Sequence, residues 1–575
     1  MTLLLSKHWL VAEPANPKYL RRFRGLHPLL AQVLINRGLD SYQAATEFLY
    51  AKNVTHNPFD MPDMAKAVGR IRDAIGKGEK IVVYGDFDAD GVTSTTLLMQ
   101  TLRAFKANAE PYIPHRIDEG YGLNSPALLE LAERGVSLVI TVDCGIRSVE
   151  EVEDARAAGV DVIITDHHSL GPTLPDAYAV INCKRPGYPE PMLAGVGVAF
   201  KLAQALIMAD RNNRKYGSNK DHDPIDVADL LDLVALGTVA DMMPLHHMEN
   251  RVIVRRGLEK INMAKRPGIR ALMEVAGVEP GKANSTTIGF SLAPRINAAG
   301  RLDDAMIAYR LLASTTLTEA RKHAQTLQEL NTQRQDYTRK AQATIREQLD
   351  DSAELPLIFA AHEGFLPGIV GLVAGRLTEE FFRPTVVMEL GEDESRASCR
   401  SIPQFDITNA LDQCADLLMR HGGHALAAGF TVANDNIGPL RERLTALAND
   451  ALTGQTLTPT LHIDAEIDVH QLNEDLVSAM SLLEPFGNGN PLPVLMTRNV
   501  HVAECKTVGK QNNHLKLKLS RAGQPPLDAI GFGLGDWVEK MPQRIDIAYQ
   551  LEINEWNGRR NIQANLQDIR PAETS

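Results

Sequence analysis

Three aspartates, Asp86, Asp88 and Asp90, stand at alternate positions in the segment YGDFDADGVTS. Carboxylates so close together repel one another, and a bound cation with oxygen ligands relieves that repulsion. An EF-hand calcium loop does not fit, because the twelfth position counted from Asp86 is Leu97 rather than Glu and a predicted strand precedes the segment. The segment alone therefore predicts either a metal site of another kind or a solvated acidic turn.

Acidic and imidazole side chains also end three other apolar runs. Asp143 closes SLVITVD, Asp166 closes DVIITD and is followed by His167 and His168, and Asp241 closes DVADLLDLVALGTVAD. The carboxyl ends of parallel strands meet at one edge of a sheet, where binding sites lie, so we expect Asp143 and Asp166 to converge with the first three aspartates. Asp241, at the end of a run with helical spacing, is a fourth candidate for the same place. Adjacent histidines alone are also typical of an ordinary helix N-terminus, but the combined set favours metal binding.

The ligand types indicate which metal the site would take. Carboxylate oxygens with one imidazole and no thiolate suit Mn²⁺ or Mg²⁺ better than zinc or copper. Several aspartates in one place suggest two ions that share a carboxylate. Two ions about 3.5–4 Å apart activate a water and clamp the oxygens of an in-line phosphoryl displacement, so the residues predict a metal-dependent phosphoester hydrolase.

Buried strands alternating with helices would position these residues. Short apolar runs typical of buried strands cover Lys80–Gly85, Ser137–Asp143 and Asp161–Asp166. Helical patterns cover Val92–Phe105 and Arg147–Ala158 between them. This alternation predicts βαβ units and a parallel sheet.

The rest of the chain divides into further regions. The segment 318–350 has apolar residues at helical spacing and predicts one long helix that joins two domains. A second α/β region follows, with strands near Leu357–Ala360 and Thr385–Glu389. After about residue 460, strands separated by Gly, Asn and Pro turns predict a small barrel of the oligonucleotide-binding (OB) type. These strands are expected at Leu515–Leu519, Asp528–Phe532, Ile545–Ile553 and Arg560–Ala564.

Composition sets limits on the class of protein. The chain has 575 residues with 44% hydrophobic and 23% charged residues, which predicts a globular protein of about three or four domains. Its net charge of −12 disfavours a basic body that wraps nucleic acid, but allows a local basic channel. Neither a membrane span nor a secretory signal is expected. Five scattered cysteines without a CxxC pair favour a reducing cytoplasm.

The order of the acidic motifs resembles the DHH phosphoesterase superfamily, named for the Asp-His-His that stands here at 166–168. Five more motifs resemble the RecJ family of bacterial exonucleases within it. They are GVGVAFKL at 195–202, PRINAAGRL at 294–302, HEGFLPGIVGLVAGRL at 362–377, HGGHALAAGF at 421–430 and PFGNGNP at 485–491. The resemblance extends from about residue 20 to 570, and Phe365, where a Trp is expected, is its one small departure.

The resemblance implies a set of catalytic and metal-binding residues. One ion would be held by Asp90, Asp143, His167 and Asp241. The other would be held by Asp88 and the shared Asp143, with Asp86 close by. His168 would act beside the phosphate rather than as a ligand. The implied catalytic residues are Asp88, Asp90, Asp143, His167, His168 and Asp241.

A substrate clamp is also expected, because phosphates carry negative charge toward an acidic site. Guanidinium groups at Arg295 and Arg301 could hold phosphates, and Tyr121 could stack on a base. Taken singly, each arginine could equally form a surface salt bridge, the HGGH segment a packing turn, and the tyrosine part of a core. The implied substrate-binding residues are Arg116, Tyr121, Arg295, Asn297, Arg301, Ser398, Arg400, Ser401, Gly423 and His424.

The fold implied is a two-lobed α/β DHH/DHHA1 core with parallel sheets, a long connecting helix and a C-terminal OB-type β barrel. The expected divisions are an N-terminal extension at 1–65, a DHH catalytic domain at 66–310, the connecting helix at 311–350, a DHHA1 substrate-binding domain at 351–455 and the OB-fold domain at 456–575. Residues 493–575 carry a net charge of +2, and Lys516 and Lys518 share one strand face. That face would suit single strands, or protect a solvated edge strand.

The function implied is a single-stranded-DNA-specific 5′-to-3′ exonuclease that releases 5′-mononucleotides in DNA recombination and repair, including mismatch repair. It would act as a cytoplasmic monomer, helped by a single-strand-binding protein and a helicase. The first alternative is a small-substrate phosphodiesterase, an oligoribonuclease or a cyclic-dinucleotide hydrolase, and such relatives usually lack the barrel. The second is a non-catalytic scaffold, which would have lost the metal carboxylates that are all present here.

Overall fold

The computed structural model describes residues 7–53, 56–116, 119–120, 122–215, 225–349, 355–521, 523, 525–556 and 559–572. Among these residues, no helix combines the length and the apolar character needed to cross a membrane. The strands are β1 His8–Val11, β2 Lys80–Gly85, β3 Ala109–Tyr112, β4 Val136–Val142, β5 Asp161–Asp166, β6 Ala179–Asn182, β7 Ile358–His362, β8 Thr385–Glu389, β9 Glu394–Arg400, β10 Leu418–His424, β11 Ala427–Ala433, β12 Thr460–Ile463, β13 Ala465–Glu466, β14 Leu495–Val508, β15 His514–Leu519, β16 Leu527–Gly531, β17 Arg544–Trp556 and β18 Arg559–Pro571.

The helices include one π-helical turn, Ile288–Leu292, which leads directly into α13. The α-helices are α1 Pro17–Leu20, α2 Pro28–Asn36, α3 Tyr42–Tyr50, α4 Met64–Lys77, α5 Ala89–Ala104, α6 Ser125–Glu133, α7 Val149–Ala157, α8 Gly195–Lys215, α9 Leu231–Ala240, α10 Met248–Met263, α11 Pro267–Ala276, α12 Ser285–Thr287, α13 Ala293–Leu302, α14 Met306–Ala313, α15 Leu317–Gln348, α16 Pro367–Phe381, α17 Ile407–Asp412, α18 Ile437–Leu452 and α19 Glu474–Ser481.

The first sheet has five parallel strands in the order β3-β2-β4-β5-β6. The three strands predicted from apolar runs, β2, β4 and β5, lie next to one another in it. Helix α5 begins three residues before the predicted Val92, because the Asp88 side chain accepts hydrogen bonds from the N–H groups of Asp90 and Gly91 and so caps an earlier start. Helices α5, α8 and α9 contribute to one large apolar core with this sheet.

The second sheet is mixed, in the order β10-β11-β9-β8-β7. Strands β7 and β8 pair in parallel, whereas β8, β9, β11 and β10 form an antiparallel run. Helix α15 confirms the predicted long helix and places its buried face between the two lobes. Its first half joins the core of the first lobe, and Ala341 and Ile345 in its second half pack with α16 and the second sheet.

The C-terminal strands form a closed barrel. Strand β14 pairs with both β15 and β17, and the circle continues through the β15–β16, β16–β18 and β18–β17 pairs. Apolar side chains from all five strands fill its interior. The OB-type barrel predicted from the strand and turn pattern is thus present.

The N-terminal segment, expected to be an extension, packs against the C-terminal region. Strand β1 pairs in parallel with β12, and Leu30 and Leu34 of α2 share a hydrophobic core with Leu476 of α19 and Ile547 of the barrel. The chain thereby returns to its own beginning after more than 400 residues. Sequence periodicity carries no signal for a contact over that separation.

Candidate metal centre

The first sheet delivers its acidic residues to one edge, as expected for a parallel sheet. Asp86 follows β2, Asp143 follows β4, and Asp166 is the last residue of β5. Asp143 has a left-handed backbone, with φ of 64°, and its N–H donates to the carbonyl of Thr165 at 3.0 Å. The hydrogen bond to the neighbouring strand helps to hold this turn, and with it the carboxylate.

The loop from Asp86 to Asp90 is fixed by hydrogen bonds from its N–H groups. One Asp88 oxygen accepts from the N–H of Asp90 at 2.8 Å and from that of Gly91 at 3.1 Å. The N–H of Ala89 donates to Oδ1 of Asn297 in α13 at 2.7 Å. Asn297, predicted to bind substrate, therefore contacts the aspartate loop.

Asp90 lies at the N-terminus of α8. Its two carboxylate oxygens accept from the N–H of Gly195 at 2.6 Å and from that of Val196 at 2.8 Å. The positive end of a helix dipole favours such an anion. Gly195 is required here for space, because a Cβ atom on it would lie 2.5 Å from Oδ1 of Asp143. The sequence motif GVGVAFKL thus packs directly on two of the predicted ligands.

The predicted catalytic side chains come together in three overlapping groups whose ligand atoms lie within 4.8 Å of one another. Nε2 of His167 is 3.2 Å from Oδ1 of Asp143 and 3.5 Å from Oδ2 of Asp241. Asp143 belongs to two of these groups, so its carboxylate is placed where two ions could share it. The groups are Asp86 with Asp88 and Asp143, Asp90 with His167 and Asp241, and Asp143 with His167 and His168.

Several ligand atoms in this centre are buried without a hydrogen-bond partner among the described residues. They are Oδ1 of Asp86, Oδ1 of Asp143, Nε2 of His167 and Oδ2 of Asp241. Buried polar atoms are normally paired, because an unpaired one loses its hydration without compensation. Oxygen and imidazole atoms left open on a shared centre fit a divalent cation of the Mn²⁺ or Mg²⁺ type.

The pKa values of the carboxyl groups point the same way. Burial, together with repulsion from Asp88, raises the pKa of Asp86 well above its usual value and that of Asp90 to about 7. Burial and the charge of Asp90 raise the pKa of Asp143 strongly and that of Asp241 to about 9. A cation would oppose both causes, since it offsets the repulsion and replaces lost hydration.

The two histidines have different environments. Burial and the neighbouring His168 lower the pKa of His167 to about 3, which keeps this imidazole in the neutral form that binds metals. One Asp166 oxygen accepts from the N–H groups of His167 at 2.6 Å and His168 at 2.9 Å and lies 2.7 Å from Nδ1 of His168. Its other oxygen accepts from the N–H of Ile146 at 2.9 Å. The Asp166 carboxylate is therefore engaged in hydrogen bonds that hold the backbone at both histidines and the ring of His168.

A cavity of about 420 Å³ opens beside His167 and His168. The first lobe lines it with Arg147 and Lys184, and the second lobe contributes His424. Gly423, just before His424, has φ of 151° and brings the backbone of β10 close to Ala427 and Ala428. The sequence predicted Gly423 and His424 near the substrate, and the structure places His424, 256 residues after His168, in the wall of this cavity.

Four arginines form a second group near the centre, and none of them pairs with a carboxylate among the described residues. Arg116 stacks on the Phe87 ring at 4.7 Å, beside the charges of Asp86 and Asp88. Arg301 donates to the carbonyl of Gly368 at 2.9 Å. Burial and the nearby charges of the other three lower its pKa to about 10. The four residues are Arg116, Arg301, Arg334 and Arg400.

Arg334 was missed by the sequence analysis. It lies on α15 and is 8% exposed. It lies on the buried face of α15 next to the polar Asn331, to which it donates a hydrogen bond at 3.0 Å. Arg400 of β9 donates to Oγ of Ser398 at 3.1 Å, which joins two of the predicted substrate residues.

Three further predicted substrate residues already have partners inside the protein. Arg295 donates to Gln328 at 2.8 Å and to the carbonyl of Ser291 at 2.6 Å. Ser401 donates to the carbonyl of Phe405 at 2.6 Å. Like Asn297, these two side chains are engaged in hydrogen bonds within the protein. Tyr121 lies outside the described residues.

The predicted basic face of the barrel is largely neutralised. Lys516 lies 3.8 Å from Asp528, and Lys518 lies 3.7 Å from Glu504. These cross-strand pairs fit a solvated strand better than a strongly basic track. The side chains of Trp556 and Arg559, also considered for strand binding, lie outside the described ones.

The sequence matches three family models along its length. They are the DHH family N-terminal domain at residues 80–238, the DHHA1 domain at 354–452 and the RecJ OB domain at 463–568. The single-stranded-DNA-specific exonuclease RecJ of Bacillus subtilis is 39% identical over 99% of this chain and 72% of its own length. The Escherichia coli protein of the same name is 35% identical over 95% of this chain and 96% of its own.

Solved structures give the same result. The crystal structure of RecJ in complex with Mn²⁺ from Thermus thermophilus superposes with a TM-score of 0.83 at 28% identity, over 99% of this chain and 80% of that one. A structure of exonuclease RecJ bound to manganese superposes with a TM-score of 0.59 at 34% identity, over 69% of this chain and 98% of that one.

Proposed function

The chain belongs to the RecJ family, and on that premise we propose that it is a single-stranded-DNA-specific exonuclease. It is a metal-dependent hydrolase that takes Mn²⁺ or Mg²⁺. The observation that carries this proposal is the acidic centre around Asp143, where buried ligand atoms have no hydrogen-bond partner among the described residues. Close by lies the group of four arginines that form no ion pair with a described carboxylate.

The residues suited to hold the ions are the aspartates at the sheet edge with one histidine. We assign Asp90, Asp143, His167 and Asp241 to one ion, and Asp88 with the shared Asp143 to the other, with Asp86 beside it. Two such ions, when bound, supply the Lewis acidity that activates a water and offsets the charge of the phosphate. His168, held by Asp166, has its ring next to that of His167 and is placed to donate a hydrogen bond to a phosphate oxygen.

The arginine group supports a preference for a 5′ end. A terminal phosphate monoester carries more negative charge than an internal diester, so it gains more from Arg116, Arg301, Arg334 and Arg400 together. Ser398 adds a hydroxyl beside Arg400. We propose that a terminal 5′-phosphate held by these arginines leaves the first diester of the strand at the metal centre. Such binding would give 5′-to-3′ digestion with release of 5′-mononucleotides.

A groove of about 850 Å³ between the catalytic lobe and the barrel offers a route for the strand. Phe290, on the π-helical turn before α13, lines this groove and is 82% exposed. The groove is also lined by Gln550 and Asn565 of the barrel and by Phe486, which lies in the PFGNGNP motif before the barrel. An exposed aromatic ring suits stacking with an unpaired base, which a duplex cannot offer.

The alternative of a small-substrate phosphodiesterase is not favoured, because binding of a dinucleotide does not require the barrel or the groove beside it. For the domain limits we retain 1–65, 66–310, 311–350, 351–455 and 456–575, with the first segment attached to the last. We further propose action as a cytoplasmic monomer in recombination and repair, with a single-strand-binding protein and a helicase as helpers. The cytoplasm suits the free cysteines of the chain, four of which are buried.

Mn²⁺-dependent digestion of strands labelled at either end tests the proposal. A single-stranded DNA, a duplex and an RNA of the same sequence should be compared. Mononucleotides released progressively from the 5′ end of the single-stranded DNA alone are expected. Digestion of very short oligonucleotides or cyclic dinucleotides only would move the function to the small-substrate alternative.

A further inference from the structure

The linker motif PFGNGNP, which precedes the barrel, contacts the loop that follows Asp241. Nδ2 of Asn488 donates to the carbonyl of Met242 at 2.6 Å. The N–H of Leu245 donates back to the carbonyl of Asn488 at 2.7 Å. Asn488 thus holds both ends of the segment 242–245. This segment begins directly after Asp241, a proposed metal ligand.

The glycines of the motif are needed for this contact. A Cβ atom on Gly487 would lie 2.8 Å from Cδ1 of Leu245. Gly489 has a left-handed backbone, with φ of 68°, and a Cβ atom there would overlap the ring of His246. The linker therefore lies against this loop at a distance that only glycine allows.

The other side of the motif is anchored away from the metal centre. The buried Asn490 donates to the carbonyls of Leu483 at 2.8 Å and Pro485 at 2.7 Å. Arg37 of the N-terminal region donates to the carbonyl of Pro491 at 2.6 Å, and Arg251 of α10 donates to that of Glu484 at 2.8 Å. These bonds make the linker a fixed support rather than a mobile connection.

The loop itself needs such a support. Met242 has a left-handed backbone, with φ of 56°, and its side chain is 68% exposed, so side-chain packing does little to hold it. Within the catalytic lobe the turn is held at the end of α9, where the N–H of Met242 donates to Val239 at 3.2 Å and that of Met243 to Thr238 at 3.1 Å. The carbonyl of Met242 is held from outside the lobe, by Asn488.

We propose that Asn488 is a positioning residue for Asp241, through which the barrel linker sets the geometry of the metal centre. This inference rests on the proposed assignment of Asp241 as a ligand. The Asp241 carboxylate closes the group with Asp90 and His167 only if the end of α9 keeps its place. Partners that orient a ligand commonly change metal affinity about 10–100-fold when removed.

The test uses Asn488→Ala in the full chain, with Asn473→Ala as the matched control. The Asn473 side chain also forms a hydrogen bond in the C-terminal region, accepting from the N–H of Leu476 at 2.8 Å. Among the described residues it has no hydrogen bond to the segment 242–245. Calorimetric titration with Mn²⁺ should show about tenfold weaker binding at one site for Asn488→Ala and no change for the control. Hydrogen exchange at the Leu245 amide should accelerate in Asn488→Ala alone, while the KM for single strands stays constant and kcat falls.

Two outcomes separate the inference from its premise. If Asp241→Ala leaves Mn²⁺ binding intact, the assignment of Asp241 as a ligand fails. If Asp241→Ala weakens binding but Asn488→Ala, folded with the Tm of the control, binds Mn²⁺ within twofold of the parent, the positioning role is overturned. Partial recovery of affinity in Asn488→Gln, which retains the amide donor, would support the role further.

Discussion

Replacing Gly195 by alanine should disable the metal centre without unfolding the protein. Gly195 is the first residue of α8, and its N–H donates to Asp90 at 2.6 Å. A Cβ atom at this position would lie 2.5 Å from Oδ1, 2.6 Å from Cβ and 2.7 Å from Cγ of Asp143. Its φ is not left-handed, so the backbone accepts alanine and the clash falls on the carboxylate.

The size of the effect follows from the displacement. Relief of the clash requires the helix start and the carboxylate to separate by roughly 0.5–1 Å, and a misplacement of about 1 Å can lower a rate by about 10²-fold. That factor corresponds to about 2.7 kcal/mol of transition-state stabilisation. Stability should change by about 1–3 kcal/mol, the usual cost of an extra methyl group in a packed site, which a folded protein can bear.

The assay is the single-turnover rate on a single-stranded DNA at saturating Mn²⁺, together with the thermal unfolding midpoint. Gly197→Ala is the matched control, because it lies in the same helix and the three atoms nearest to its Cβ would all belong to Leu193, the closest at 3.1 Å. A folded Gly195→Ala variant with a rate within threefold of the parent would refute the argument that this glycine makes room for Asp143.

Three further variants test other parts of the account. Asp143→Ala should abolish hydrolysis, because both proposed ions lose a shared ligand. Binding of a single strand, measured by fluorescence anisotropy, should stay largely intact. Retained turnover would refute the metal assignment. Arg400→Ala should lower the ratio of the rate on 5′-phosphorylated strands to that on 5′-hydroxyl strands by about tenfold or more, since one charge-assisted hydrogen bond contributes about 1.5–3 kcal/mol. An unchanged ratio would exclude Arg400 as a contact of the terminal phosphate. Phe290→Ala should weaken binding of a long strand by about 5–150-fold, because about 1–3 kcal/mol of base stacking is lost, and should not affect binding of a dinucleotide. Phe532→Ala, which also removes an exposed ring, serves as control. Equal losses of affinity in both variants would contradict the proposed route.

The convergence of the acidic side chains was predictable because its signals are local. Asp86, Asp143 and Asp166 stand at the ends of apolar strands, and the geometry of a parallel sheet brings such ends together. Asp241 instead stands at the end of helix α9, so its place in the cluster does not follow from the sheet. Asp88 illustrates the limit of that reasoning. Its place in the cluster follows from spacing, whereas its second role as the cap of α5 explains why the helix begins at Ala89.

Contacts over long sequence separations could not be predicted in this way. Leu30 of α2 shares a core with Ile547 of the barrel, and Asn488 supports Met242 across 246 residues. The residue pattern within each of these segments does not indicate which distant segment it contacts. A consequence is that removal of residues 455–575 would expose the apolar face of α2, so truncation does not test the barrel alone, and point variants such as Phe290→Ala are preferable.

Roles within the substrate group were also only partly predictable. Arg116 and Arg301 were identified from their motifs, but Arg334 carries no motif and became evident only when α15 placed it beside the other arginines. Arg295, by contrast, has a motif and yet donates to Gln328 and Ser291. A motif indicates which residues are candidates for substrate binding. Whether a candidate is free to contact substrate or forms hydrogen bonds within the protein depends on the surrounding packing.

The central claim is that the carboxylates around Asp143 hold two divalent ions. The most direct test is the number of Mn²⁺ ions bound per chain, measured by calorimetry and by anomalous scattering from crystals of the parent protein and of Asp143→Ala. Two ions in the parent, both lost or strongly weakened in the variant, are the expected result. A single ion in the parent, or two ions that persist without Asp143, would contradict the account.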